Sequence, residues 1–244
     1  MNRQEYLEKY FTNIQLDADY PDWFYVRRSI LQFIQNKLMY MKGNLLDVGC
    51  GIMPYKELIL NGGKVTSYTG LDFENSLDEE YAMGKPDFFW KGEIIPAADN
   101  SYDTILATEF FEHCPEPERI MKEIRRVLRK DGVLIFTVPF LWNLHLVPYD
   151  EYRYTPYSLK RHLTFAGYSE INLEALGGFD ASLAQMLAIW LHQRPMSKLQ
   201  KKILSTLLLP IIKKLIEKDK IFDKDKLFFG GSMITGIGGI CFNK

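Results

Sequence analysis

Three groups of residues in this sequence have the types and spacing to do chemistry. The first is Asp47-Val-Gly-Cys-Gly51, a carboxylate followed by two closely spaced glycines at the end of the apolar run Leu45, Leu46, Val48. Glycine takes positive φ and carries no Cβ, so Gly49 and Gly51 let a ligand approach bare backbone. Asp47 can hold an ammonium group there, and Asp72, about 20 residues past the glycines, suits the hydroxyls of a ribose. Pro54 stands where a dinucleotide fingerprint has its third glycine, which weakens a pyrophosphate reading and favours a nucleoside that bears an amino acid. The second group is Thr108-Glu-Phe-Phe-Glu-His113, two carboxylates and an imidazole within six residues. The third is the stretch 140–155, which carries His145, Asp150, Arg153 and five aromatics.

These groups need elements to position them. Leu45 to Val48 reads as a buried strand, and residues 54–60 as the start of a helix with Pro54 near its first turn, its free N–H groups facing the same crevice. A second strand spans Ser67 to Leu71, a third Asp87 to Trp90, and a fourth Thr104 to Ala107 behind the turn-rich Pro96 to Asp103. Ile120, Met121, Ile124, Val127 and Leu128 form one stripe of a helix expected over Pro115 to Lys130, ended by Asp131-Gly132. A fifth strand follows at Val133 to Val138. Thr155 caps a helix with Pro156 at its first position, running to Ala166. Ser169 to Leu176 and Gly236 to Phe242 read as the last two strands. In an open α/β sheet ligands lie beyond the carboxyl ends of the strands, which places all three groups at one mouth.

Leu-Leu-Asp-Val-Gly-Cys-Gly resembles motif I of class I S-adenosylmethionine-dependent methyltransferases, and the resemblance extends over roughly 44–176. Asp99, Ser101, Tyr102 and Asp103 match the segment before the fourth strand of the type 11-like family, and the run Arg126 to Pro139 is similar to its following helix and strand. His-x-x-Pro-Tyr-Asp-x-Tyr-Arg-Tyr-Thr is similar to a subgroup associated with polysaccharide biosynthesis. The resemblance implies a Rossmann-like fold: a seven-stranded, mostly parallel sheet with helices on both faces and a helical insertion before the last strand. It implies S-adenosyl-L-methionine as cofactor, held by Asp47, Gly49, Cys50, Gly51, Tyr55, Asp72, Phe73, Glu93, Ile94, Thr108 and Glu109. Here Lys91-Gly92-Glu93 stands where the family has its adenine-binding acid, so Glu93 serves from a shifted position. The expected acceptor is a small molecule or saccharide, methylated on oxygen or nitrogen and contacted by Tyr149, Asp150, Arg153 and Tyr154. A cofactor-binding protein without transferase activity is the rival.

A hydroxyl acceptor needs a base, and His145, His113 and Glu112 are the candidates, His145 first because its ordinary pKa lies near neutrality. Glu109, Glu112 and His113 also resemble the divalent-metal motif of some RNA and quinone O-methyltransferases, with His145 as fourth ligand for Mg or Mn. The 140–155 loop has two readings: its aromatics grip an acceptor, or they pack inward with Arg153 paired to Asp150.

The whole chain narrows the field. At 244 residues it is one domain with an appendage: an N-terminal helical lid over 1–43, a core over 44–180, an insertion over 181–230 and a final strand over 231–244. In the lid, Arg27 and Arg28 precede an amphipathic helix expected around Arg27 to Met41 and stand where they can meet the cofactor's carboxylate. The formal net charge of −1 lacks the footprint of a nucleic-acid binder. Cys50, Cys114 and Cys241 show neither disulfide nor zinc spacing, and a reducing cytoplasm is expected. Ile203 to Ile212 is too short to span a bilayer. Ser197 to Lys220 carries seven lysines against two acids, a pattern for a peripheral anionic membrane surface or for a helix pair packed on its own domain, with Pro210 expected to kink or divide it.

Overall fold

A computed structural model describes residues 1–74, 84–219, 227–228 and 230–244. The polar stretch expected over Glu74 to Lys85 and the tail of the insertion, Lys220 included, fall largely outside those residues. The strands are β1 Lys42–Val48, β2 Lys64–Phe73, β3 Phe88–Trp90, β4 Tyr102–Thr108, β5 Leu128–Pro139, β6 Ile171–Ala175 and β7 Gly236–Phe242. The helices are α1 Arg3–Leu7, α2 Pro21–Lys37, α3 Lys56–Gly62, α4 Pro117–Val127, α5 Pro156–Phe165, α6 Phe179–Gln193 and α7 Lys198–Lys218.

The seven strands form one sheet in the order β3-β2-β1-β4-β5-β7-β6. Pairing is parallel from β3 through β5, and β7 runs antiparallel to both β5 and β6. This is the expected Rossmann-like sheet. Its strand order reverses between β1 and β4, the switch point beyond whose strand ends an open α/β sheet holds its ligand. The central strands read as continuous apolar runs because both faces are covered. Leu46, Ile105, Leu134 and Phe136 pack under the Ile120 and Ile124 face of α4. Leu45, Leu106 and Ile135 pack under Phe33 and Ile34 of α2 and Ile59 of α3.

Several boundaries differ from expectation. Helix α2 begins at Pro21, six residues before Arg27, with proline at its first turn where a missing N–H costs nothing. Helix α4 stops at Val127 rather than Lys130. Leu128 turns extended (ψ 128°) and pairs with Tyr102, Asp131 takes φ +59°, and Asn243 Nδ2 donates to the Leu128 carbonyl at 2.8 Å. Helix α7 runs unbroken through Pro210, so that proline does not divide it. The capping box at Thr155 forms as expected, closing on Ser158.

Candidate functional site

The glycine loop after β1 is stapled onto the end of β2. The Gly49 and Cys50 N–H groups both donate to the Leu71 carbonyl, at 2.9 and 3.2 Å. The Gly51 N–H donates to Asp72 Oδ2 at 2.7 Å, and Asp72 Oδ1 accepts from the Phe73 N–H at 2.8 Å. Gly49 sits at φ +70°, and a Cβ there would lie 2.4 Å from the Phe110 ring. Gly51 sits at φ +50°, and nothing beyond its own chain neighbours lies within 4 Å of where its Cβ would stand. Phe73 stacks on Trp90 (centroids 5.7 Å, planes 7° apart) and on Phe110 (5.5 Å, 22°), making an aromatic wall beside the loop.

Asp47 lies at the floor of the crevice, 2 % exposed. Tyr68 Oη donates to its Oδ2 at 2.5 Å, while Oδ1 is buried with no hydrogen-bond partner. Burial pushes this carboxyl up to about 7, against the pull of the Tyr68 bond, and the Asp72 charge adds to the rise. A buried carboxylate oxygen without a donor is costly, and an ammonium group supplies the missing partner. With glycine backbone bare on one side, a carboxylate at the end of β2 and this orphaned oxygen, the residues present fit an amino-acid-bearing nucleoside.

Beyond β4 the chain turns sharply. Glu109 takes φ +49°, its N–H donates to the Thr137 carbonyl at 3.0 Å, and burial raises its carboxyl to about 7, opposed by Thr137, Arg27 and Arg153. A non-glycine residue held in this conformation marks a place where backbone strain is tolerated for position. Arg27 of α2 lies over the Phe11 ring at 4.0 Å and hydrogen-bonds buried Tyr55. Arg28 is exposed and sits by Phe24 instead. Cys50 is buried, its thiol pushed up by burial. Thr108 is half-buried at the strand end.

The acceptor side joins two loops. His113 Nδ1 lies 2.9 Å from the Tyr149 carbonyl, so Nδ1 carries the proton and Nε2 presents its lone pair, 3.7 Å from Glu112 Oε1. The Glu112 carbonyl accepts from the Glu151 and Tyr152 N–H groups. Its carboxyl is fully buried, neither oxygen has a hydrogen-bond partner, and burial with neighbouring Glu109 pushes it well up. The His145 ring packs edge-on against His113, centroids 4.8 Å apart. His145 Nδ1 lies 3.1 Å from Asp150 Oδ2. Burial lowers both imidazoles, leaving them neutral bases near pH 7.

Arg153 grips Asp150 with both guanidinium nitrogens, at 2.7 and 2.8 Å, and also donates to the carbonyls of Asn143 and Tyr152. Burial alone would raise the Asp150 carboxyl, but Arg153 and the His145 N–H hold it well below the usual carboxylate range. The inward reading of this ion pair is the one the structure adopts: Asp150 and Arg153 frame the loop, and Asp150 orients His145. Tyr154 is a correction. It is 2 % exposed, and its Oη donates to the Phe111 carbonyl at 3.0 Å, because its ring is needed to fill the core beneath α5. Tyr149, by contrast, stays 57 % exposed, beside exposed Leu144, Leu146 and Val147.

Glu93 and Ile94 are exposed. They line a shallow groove of about 810 Å³ against α4, next to Gly92 and the Phe73 ring that Gly92 approaches. The carboxylate nearest that segment's backbone is Glu123, whose Oε1 accepts from the Ile95 N–H at 2.7 Å. Sequence reasoning missed Tyr68 and Thr137, which hold Asp47 and Glu109 across neighbouring strands, and Phe110, which sits under Gly49. Only their place after register is fixed reveals them.

Residues 46–136 match the family described as "Methyltransferase domain". A ubiquinone biosynthesis O-methyltransferase from Actinobacillus pleuropneumoniae is 30 % identical over 121 residues, covering 44 % of this chain and 50 % of the relative. A sterol 24-C-methyltransferase from Schizosaccharomyces pombe is 34 % identical over 97 residues, covering 36 % and 26 %. The chain thus spans half or less of the length of these curated relatives. Among solved structures, a S-adenosylmethionine-dependent methyltransferase from Thermotoga maritima, described as a possible histamine N-methyltransferase, superposes with TM-score 0.58 at 16 % identity, covering 98 % of this chain and 99 % of that one. A [4+2]-cyclase shares the fold as well, with TM-score 0.55 at 17 % identity over 90 % of this chain and 82 % of the cyclase. The family match and the strand order agree: residues 46–136 match a methyltransferase domain, and the sheet that carries them has the strand order of the class I S-adenosylmethionine-dependent methyltransferase fold.

Proposed function

We propose that this chain methylates a hydroxyl of a small-molecule acceptor, with His145 as the general base. The observation that carries the reading is the Arg153–Asp150–His145 series. With Nδ1 bonded to a carboxylate that Arg153 keeps ionised, His145 Nε2 is the ring atom left to take a proton. The bound cofactor supplies an electrophilic methyl group. The protein's own work is to hold its amino-acid end on Asp47 and the glycine loop, its ribose on Asp72, and the acceptor oxygen in line at the mouth. Helix α2, through Arg27, closes the crevice from the N-terminal segment.

Acceptor class follows from what borders the histidines. Tyr149 and half-buried Trp142 offer ring faces suited to a sugar, the expectation from the loop's motif. Exposed Leu144, Leu146 and Val147 favour an acceptor with an apolar body, in keeping with relatives named for ubiquinone biosynthesis and sterol methylation.

A second reading has a specific observation behind it. Ligand atoms of Glu112, His113 and His145 all lie within 4.8 Å of one another, and Glu112 brings two buried oxygens without hydrogen-bond partners. A divalent cation of the Mg or Mn class would satisfy them and orient a hydroxylated acceptor. Glu109 is outside this group.

His145→Ala and chelation together separate the readings. General-base loss lowers turnover by ~10²–10⁴-fold with cofactor affinity unchanged by calorimetry. In the wild type, turnover persists below pH 6.5 because burial lowers the His145 pKa from that ordinary value. Activity surviving exhaustive EDTA treatment removes the metal reading. S-adenosylhomocysteine release with none of a panel of phenols, hydroxylated isoprenoids and sugar nucleotides, despite tight cofactor binding, would favour a cofactor-binding protein without transferase activity.

A further inference from the structure

Helices α6 and α7 each turn an apolar stripe outward. On α6 it comprises Phe179, Leu183, Met186 and Trp190, spaced by four, three and four residues and 40–57 % exposed. On α7 it comprises Leu199, Ile203, Leu207 and Ile211, spaced by four and 49–68 % exposed. Neither helix is loosely attached. Ala184, Ala188 and Ile212 are buried between them. Gln185 donates to the Asp22 carbonyl at 3.0 Å, and His192 bonds the Asp22 carboxylate at 2.8 Å, fixing α6 to α2. Two outward stripes on firmly anchored helices mark an interaction surface rather than a packing defect.

Charge selects the partner. Lys198, Lys202, Lys213, Lys214 and Lys218 are exposed along α7, and Arg194 lies over the Trp190 ring at 5.0 Å. Against them the two helices carry two acids, Asp180 and Glu217, the latter within 4.0 Å of Lys213. A second copy would set the same lysines against each other, whereas an anionic bilayer offers apolar depth ringed by negative headgroups. No helix among the described residues is long and apolar enough to cross a membrane.

Position ties the surface to the site. Ala175 of β6 and Val138 of β5 both register with Ile237 of β7, so α6 leaves the sheet at the end where the crevice opens. From there its 15 residues extend about 22 Å.

We propose that the outer faces of α6 and α7 dock this protein on an anionic lipid surface, the stripes entering the acyl boundary and the lysines lying at the headgroups. This goes beyond the methyl-transfer reading, and its test reads binding alone, so either can fail without the other.

The test is flotation of the full chain with phosphatidylcholine vesicles, with and without a phosphatidylglycerol fraction. Expected is co-flotation with the anionic vesicles at low salt, and release near 1 M salt, where the screening length is about 3 Å. Lys202→Glu and Lys213→Glu should each lower partitioning at least about fivefold. Ile203→Ser with Leu207→Ser should abolish it, with an unchanged circular dichroism spectrum showing that the surface changes leave the fold intact. No flotation at low salt overturns the proposal, as does binding that these substitutions leave untouched. A wild-type dimer by light scattering that Ile203→Ser with Leu207→Ser makes monomeric would assign the stripes to self-association and overturn it too.

Discussion

The two sides of the crevice are built by different means. On the β1–β2 side the proposed cofactor site is mostly backbone: Gly49, Cys50 and Gly51 are pinned to Leu71 and Asp72 of the adjacent parallel strand, so sheet register holds the loop. On the β4–β5 side the proposed acceptor site is made of side chains whose places depend on one loop folded over another. His113 is held by the Tyr149 carbonyl, Glu112 by the backbone of 151–152, and His145 by an ion pair internal to its own loop. The first side is intolerant of added atoms at Gly49, under the Phe110 ring. The second is built from loops outside the sheet, which can change without disturbing it. One fold can host different chemistries, and a [4+2]-cyclase shares this one.

The sharpest way to break this contrast is Gly49→Ala against Gly51→Ala. At Gly49 an alanine adds left-handed strain of roughly 1–2 kcal/mol and must displace the Phe110 ring at roughly 1–3 kcal/mol more. The melting midpoint should fall by roughly 4–20 °C for a chain of this size. At Gly51 nothing in the protein opposes the methyl group, so only the strain of about 1–2 kcal/mol remains and the larger loss appears in cofactor affinity. Equal melting shifts for the two variants would show that Phe110 does not police the loop.

Next in size is Asp72→Ala. It removes both the carboxylate that holds the Gly51 N–H and the proposed ribose acceptor, each a charge-assisted bond worth about 1.5–3 kcal/mol. Cofactor affinity by calorimetry should drop at least about tenfold. Tyr149→Ala, on the acceptor side, should leave that affinity within about twofold, since Tyr149 meets the site through its backbone carbonyl. If the two variants weaken the cofactor alike, the sides are not separate.

Legibility in the sequence divides along the same line. Strands β1, β4 and β5 were readable because burial on both faces writes them as unbroken apolar runs, and the glycine loop because only glycine suits its backbone. The end of α4 was not. Arg126, Val127, Leu128 and Arg129 continue the helical stripe, and what stops it is Asn243, 115 residues away from Leu128, bonding the freed carbonyl. Arg153 and Asp150 were visible as a pair, but whether they face an acceptor or each other depends on the Trp142–Asn143 backbone folding back over them. The outward stripe of α6 escaped notice because that helix is apolar nearly all round, and only its packing on α2 and α7 separates inside from outside.

The smallest effect expected tests the correction at Tyr154. The pattern Tyr-Arg-Tyr-Thr suggests alternating contacts with an acceptor, yet in the fold Tyr152 and Tyr154 stack on each other at 5.2 Å and Tyr154 points its hydroxyl inward to the Phe111 carbonyl. Tyr154→Phe keeps the ring and its burial and removes one neutral hydrogen bond, leaving the Phe111 carbonyl without that donor. The cost is about 1 kcal/mol, or a melting shift of about 2–4 °C, read by calorimetry. Because Phe111 opens the turn that carries Glu112 and His113, slackening there could reach the histidines, so turnover and KM must be measured together. A purely structural Tyr154 leaves both within about twofold of wild type, whereas a hydroxyl that touches the acceptor raises KM with kcat unchanged, the signature of lost uniform binding.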